Sequence, residues 1–152
     1  MNKKRLLIEQ LGRKLTMFDV AYKVTVPPTG WIKAVRLSLG MTLQQLADRL
    51  AISKQSVQEI ETREQEGGIT LKNLRETANA LDMRLVYGFV PKDGTIDALI
   101  ERKARELAIQ IVSRTSTTMK LEDQENSEER LKKAIDERTA IIKNELPRIL
   151  WN

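Results

Sequence analysis

Cysteine and histidine are both missing from the 152 residues. Without thiols there is no disulfide framework, and without thiol or imidazole the usual zinc sites and histidine-based acid–base or nucleophilic chemistry drop out. An enzyme would have to work with carboxylates or lysines alone, and no catalytic residue, metal site or cofactor is assigned. Aromatic residues are scarce, two each of Trp, Tyr and Phe, which suits a helical, soluble chain. Long apolar runs are also lacking: no uncharged stretch approaches the roughly 18 residues needed to span a bilayer. The opening Met1-Asn2-Lys3-Lys4-Arg5-Leu6-Leu7-Ile8 has the charge of a secretory leader, but Glu9, Gln10 and Arg13 interrupt it too early. No membrane association is expected, and the expected location is the cytoplasm.

What the chain does have is an uneven charge. Its net charge is +5, and residues 1–63 carry eleven Lys/Arg against five Asp/Glu, whereas residues 64–152 carry fifteen against sixteen. Such a split fits a polyphosphate-facing half joined to a neutral appendage, and it also fits a merely solvated basic face.

Periodicity divides the chain into 1–29, 30–82 and 83–152. Leu7, Leu11, Leu15 and Phe18 recur at helical spacing and predict an N-terminal helix, followed by an extended connector at Val24-Thr25-Val26-Pro27-Pro28-Thr29-Gly30. Trp31, Val35 and Leu39 continue a helical stripe that Gly40 stops. Thr42 then caps a short helix with Leu43, Leu46, Ala47 and Leu50 on its apolar face; Ala51-Ile52 turns the chain; Ser53 caps a second helix that buries Val57 and Ile60. A third helix, capped by Thr70, offers Leu71, Leu74, Ala78 and Leu81 as packing partners.

Two short helices joined by a tight turn, with a small residue at Ala47 where they cross, make a helix-turn-helix over roughly 42–63. In that geometry Lys54, Gln55, Gln58 and Glu59 are the base-reading candidates: lysine can donate to guanine, glutamine can pair bidentately with adenine, and a carboxylate can accept from cytosine. Phosphate candidates are Lys33, Arg36, Arg63 and Lys72 as cations, with Thr42, Gln44, Ser53, Ser56 and Thr70 at helix starts. The partner implied is double-stranded DNA, with a palindromic operator bound by a homodimer.

The stretch Met41 to Glu61 resembles the DNA-binding helices of lambdoid phage repressors and their Xre-type relatives, which implies a mainly α, lambda-repressor-like bundle. In that family the positions of Lys54, Gln55 and Glu59 face bases, while Leu43 departs from the usual phosphate-touching glutamine. A wider resemblance is carried by Pro28-Thr29-Gly30-Trp31, Gly68-Ile69-Thr70-Leu71, Leu85-Val86-Tyr87, Val90-Pro91 and Thr118-Met119-Lys120-Leu121-Glu122-Asp123-Gln124. These blocks are similar to the family called mobile mystery protein A. That resemblance implies a regulator encoded beside a Fic-domain protein, hence an autorepressing antitoxin; a stand-alone repressor and a protein-only antitoxin are the alternatives. Thr62-Arg63-Glu64-Gln65-Glu66-Gly67 also fits the Ser/Thr-x-x-x-Glu-Gly/Asn pattern of Fic-inhibiting helices, although the C-terminal helices are the preferred grip on such a partner.

Beyond this block, Met83 to Val90 alternates Met83, Leu85, Tyr87 and Phe89 with Arg84, Val86, Gly88 and Val90, and reads as the single strand, in need of a partner from Tyr22–Val26 or a second copy. Thr95 caps a long helix with Ile96, Leu99, Ile100, Ala104, Leu107, Ala108, Ile111 and Val112 as an apolar stripe for core or subunit packing. Glu122, Asp123, Glu125, Glu128 and Glu129 form an acidic run, read as a solvated linker over a divalent-metal site. A last helix, capped by Ser127, carries Leu131, Ala134, Ile135, Arg138 and Ile142 on one side, and Ile149-Leu150-Trp151 is an apolar end that should dock.

Overall fold

The computed structural model describes residues 3–119 and 127–152. Its α-helices are α1 (Lys3–Thr16), α2 (Trp31–Ser38), α3 (Leu43–Leu50), α4 (Lys54–Glu66), α5 (Leu71–Ala80), α6 (Ile96–Met119) and α7 (Ser127–Glu145), with short 3-10 turns at Ala21–Lys23 and Arg148–Trp151. The chain divides into two compact units, one of Tyr22–Gly88 and one of Met1–Ala21 with Phe89–Asn152. The acidic residues Glu122, Asp123 and Glu125, and the Lys120–Gln124 end of the last resemblance block, lie outside the described residues.

In the Tyr22–Gly88 unit, α2 to α5 close around Ile32, Leu46, Ala47, Val57 and Leu81. Leu46, Ala47 and Val57 are completely buried. Burying a side chain such as leucine or valine contributes on the order of 1.5–3 kcal/mol, so even this small cluster is a substantial part of the unit's apolar stabilisation. Val35, Leu43, Ile60 and Leu74 pack at its edge. One expected core residue is not there: Leu71 sits in the first turn of α5 with nearly half its surface in solvent; Ile52, after the left-handed Ala51, is exposed as well. The α5 position that is buried instead is Thr77, a residue whose hydroxyl donates to the Asn73 carbonyl and so needs no outside partner.

Helix ends are closed as their residues dictate. After α2, Gly40 adopts φ 65°, with its N–H bonded to Leu37 and the Met41 N–H bonded back to Arg36. After α4, Gly67 (φ 82°) plays the same part, with the Gly68 N–H on the Arg63 carbonyl. Glu64, Gln65 and Glu66 are therefore the last turn of α4.

In the other unit, α6 and α7 pack antiparallel over Ala104, Ala108, Ile142 and Leu150, with Leu107, Ile111 and Ile135 beside them. Ion pairs follow the same seam: Lys143 Nζ to Glu101 Oε2 at 2.7 Å and Arg105 Nη1 to Asp136 Oδ1 at 2.9 Å. On α7 the buried partner of Ile135 and Ile142 is Thr139, back-bonded to the Ile135 carbonyl at 2.7 Å, while Arg138 points to solvent. Of the apolar end, Leu150 docks into the seam and Ile149 and Trp151 stay more than half exposed. The first helix, α1, packs with α6, and Lys4 Nζ reaches the Glu145 and Leu146 carbonyls. Lysine at the end of a helix neutralises the carbonyls that have no helical partner.

The expected strand does not form. Among the described residues there is no β-ladder, and Met83–Val90, which has no helix, turn or bend, finds no partner because Tyr22–Lys23 belongs to a 3-10 turn and Thr25–Pro27 makes no pairing with it.

Candidate nucleic-acid interface

Each helix of the α3–turn–α4 motif begins on a side chain that satisfies its own first turn. Thr42 Oγ1 accepts the Gln45 N–H at 3.0 Å while Gln45 Oε1 accepts the Thr42 N–H at 2.8 Å, a reciprocal capping box. Ser53 Oγ accepts the Ser56 N–H at 3.1 Å and lies 2.8 Å from Ser56 Oγ. Thr70 Oγ1 accepts the Asn73 N–H at 3.1 Å. A cap of this kind engages the third amide of the turn and leaves the first two pointing outward, the arrangement in which a helix start receives a phosphate oxygen. Between α3 and α4 the turn is made by Ala51 at φ 55°, ψ 42°, a left-handed conformation normally given to glycine.

Helix α4 is divided lengthwise. Val57 and Glu61 are buried and Ile60 partly so; Lys54, Gln55, Gln58, Glu59 and Thr62 are exposed. The buried side is tied to α2 at two places. Arg36 Nε donates to Glu61 Oε1 at 2.6 Å and its Nη2 to Oε2 at 3.2 Å, and Nη1 reaches the Met41 carbonyl at 3.1 Å. One turn further on, Glu64 accepts the Trp31 N–H at 2.7 Å and the Ile32 N–H at 2.8 Å, capping α2, whose own N-cap residue is the side-chain-free Gly30. A carboxylate on a helix N-terminus is favoured by the helix dipole and by the charge-assisted bonds it accepts.

These bonds rearrange the sequence-derived site. Arg36, expected on the phosphates, is withdrawn: it is buried and its guanidinium is taken up by Glu61 and Met41. Glu64 is likewise turned into the protein, onto the first amides of α2. Arg63 lies 3.9 Å from Glu59 on the exposed face, so both remain at the surface and share charge along the helix. Gln44 is exposed but donates to Asp48 at 2.8 Å. Lys33 is half-buried on α2, and Lys72 is exposed in the first turn of α5. Sequence reasoning passed over Arg75, exposed three residues after Lys72 and so on the same helix face; the i, i+3 spacing was the available signal.

Lys54, Gln55, Gln58 and Glu59, the exposed residues over the first turns of α4, combine one cation, two amides and a carboxylate. Amides and lysine are the groups that read purine edges, and an α-helix with side chains, about 10–12 Å across, matches a major groove about 12 Å wide. No curated protein and no solved structure matches the chain. Residues 32–87 match the helix-turn-helix family, a stretch that takes in nearly all of α2 and the whole of α3 to α5. The chain thus carries a lambda-repressor-like helix-turn-helix domain, the domain of DNA-binding transcriptional regulators.

Proposed function

We propose that the protein is a sequence-specific repressor that binds its own promoter as a homodimer and serves as the antitoxin of a Fic-domain protein, acting in the cytoplasm. The observation that carries the DNA-reading part is the division of α4: a polar face of Lys54, Gln55, Gln58 and Glu59 in solvent, and an opposite face fixed by Val57, Glu61 and Glu64. In this reading those four exposed residues address base edges. Lys33, Arg63 and Lys72, the hydroxyls of Thr42, Ser53, Ser56 and Thr70, and the Gln44 amide hold the flanking phosphates. Arg75 joins Lys72 on α5. The basic excess in residues 1–63 supports this assignment, since phosphate neutralisation supplies most of the sequence-independent affinity.

The antitoxin part rests on the resemblance to mobile mystery protein A, and it draws support from the separate α6–α7 unit, which a minimal DNA-binding domain does not need. Two experiments test the whole. Selection of bound fragments from random DNA should return two similar half-sites about 10 base pairs apart, as a two-fold reader requires; no enrichment would end the repressor reading. Co-expression with the neighbouring Fic-domain protein should give a complex that co-purifies and shifts promoter affinity. Neither effect would leave a stand-alone repressor.

A further inference from the structure

Between α5 and α6 the chain passes through Met83 to Val90 with no helix, turn or bend and no residue at positive φ. The Met83 N–H closes the α5 cap on the Ala78 carbonyl. From Arg84 to Val90, no backbone donor or acceptor is hydrogen-bonded to any described residue. Most of the side chains are left out as well: Val86 is 71% exposed, Tyr87 60% and Phe89 83%, while Leu85 and Val90 are half-buried. Seven consecutive open peptide units flanked by exposed apolar side chains form a strand edge, and such an edge is completed by another strand.

We infer that this run is a dimerisation strand that pairs antiparallel with the same run of a second copy, about a two-fold axis at Tyr87. The chain offers no partner of its own: no other described stretch free of helix, turn and bend exceeds three residues, and one of these, Thr25–Pro27, ends in a proline that cannot donate. A second copy brings a segment of equal length and equal need. Charge sets the direction. Arg84 is the single charged residue between Met83 and Val90, and parallel in-register pairing would set two arginines face to face. Antiparallel pairing about Tyr87 places Arg84 opposite Val90 and separates the two guanidinium-bearing positions by six residues, about 20 Å at about 3.4 Å per residue. Alternation sets the register. With a residue on the axis, Leu85 meets Phe89 and Tyr87 meets Tyr87, so the odd-numbered apolar face of one copy continues into that of the other; a one-residue slip would turn it to the opposite side.

The absence of native cysteine makes the test direct. Residues directly opposite in an antiparallel pair have Cα atoms about 4.5–5.5 Å apart, within disulfide reach. Under mild oxidation of the full-length protein without DNA, Tyr87→Cys should cross-link to itself. A mixture of Leu85→Cys and Phe89→Cys should give the mixed dimer, and Arg84→Cys and Val90→Cys should each stay uncross-linked when alone. Circular dichroism of every variant should keep the wild-type helical signal. The unmodified chain should sediment with the mass of two chains at tens of micromolar. A single-chain mass, cross-linking at Arg84→Cys equal to that at Tyr87→Cys, or a dimer in which neither Tyr87→Cys nor the Leu85/Phe89 mixture cross-links would each overturn the inference. Because no DNA is present, these results are independent of whether α4 reads bases.

Discussion

The guanidinium of Arg36 and the carboxylate of Glu61 meet inside the helix-turn-helix domain, Nε to Oε1 at 2.6 Å, with both side chains less than a tenth exposed. Removing one partner from a buried pair leaves the other charge without compensation, so Glu61→Ala or Arg36→Ala should cost about 3–5 kcal/mol, whereas replacing both by apolar residues of similar volume should cost far less. Urea unfolding of the two single variants and of Arg36→Met with Glu61→Leu checks this. Since the pair joins α2 to the buried side of α4, the double variant should remain folded.

Gly30 and Glu64 make a second such dependence. A Cβ on Gly30 would lie 2.8 Å from Glu64 Oε1, and the backbone there has φ 87° and ψ 162°, a region open essentially to glycine alone. Gly30→Ala should therefore destabilise the domain by about 1–3 kcal/mol. Glu64→Ala, which strips the cap from α2 without the backbone strain, should cost about 0.5–2 kcal/mol. Thermal melts of both variants would decide it, and a Gly30→Ala protein as stable as wild type would contradict the carboxylate-cradle geometry.

Ala51 points the other way. Its left-handed backbone costs an L-residue roughly 1–2 kcal/mol, and glycine's greater unfolded-state entropy returns only about 0.5–1 kcal/mol of that. Ala51→Gly should therefore be neutral to stabilising, by up to about 1 kcal/mol, without changing DNA affinity. Chemical denaturation measures the first and a gel shift the second.

How the sequence announces this domain is visible in the same residues. Thr42, Ser53 and Thr70 cap the helices they were expected to cap, and Ala47 and Val57 are buried at the crossing, because caps and apolar spacing are local signals. Arg36, Glu61 and Glu64 defeated the reading, since a polar side chain turned inward is recognised only from its partner, and the partners lie 25 and 32 or more residues away in the chain. Thr77 and Thr139 hid in the same way, each satisfying its hydroxyl on its own helix. Met83–Val90 has the alternation of a strand, yet a ladder depends on a second segment that alternation does not supply.

Acid should loosen the α6–α7 unit. The Lys143 ammonium hydrogen-bonded to Glu101 holds that carboxyl below its ordinary range, and the Arg102 guanidinium does the same for Asp93. For a carboxyl whose folded pKa is depressed, the stabilisation is complete above the unfolded value, about 4.3 for Glu and 3.9 for Asp, and is lost as pH falls through the folded one. The melting temperature of the α6–α7 unit should thus hold between pH 5 and 7 (roughly, by those values) and fall below that window. In a Trp31→Phe variant, Trp151 is the sole tryptophan and reports on this unit. Lys143→Met should reduce the Glu101 share of the acid-dependent loss, leaving the part that Arg105 supplies.

Whether α4 reads sequence is tested most directly by comparing Gln55→Ala with Lys72→Ala on the selected operator and on random DNA across a salt series. A lost base contact should weaken operator binding by about 1–3 kcal/mol while leaving random-DNA affinity and the salt slope unchanged; a lost phosphate contact should weaken both DNAs alike and reduce the salt slope by about 1. Gln55→Ala behaving as Lys72→Ala does, with equal losses on both DNAs, would contradict the assignment of α4 as the recognition helix.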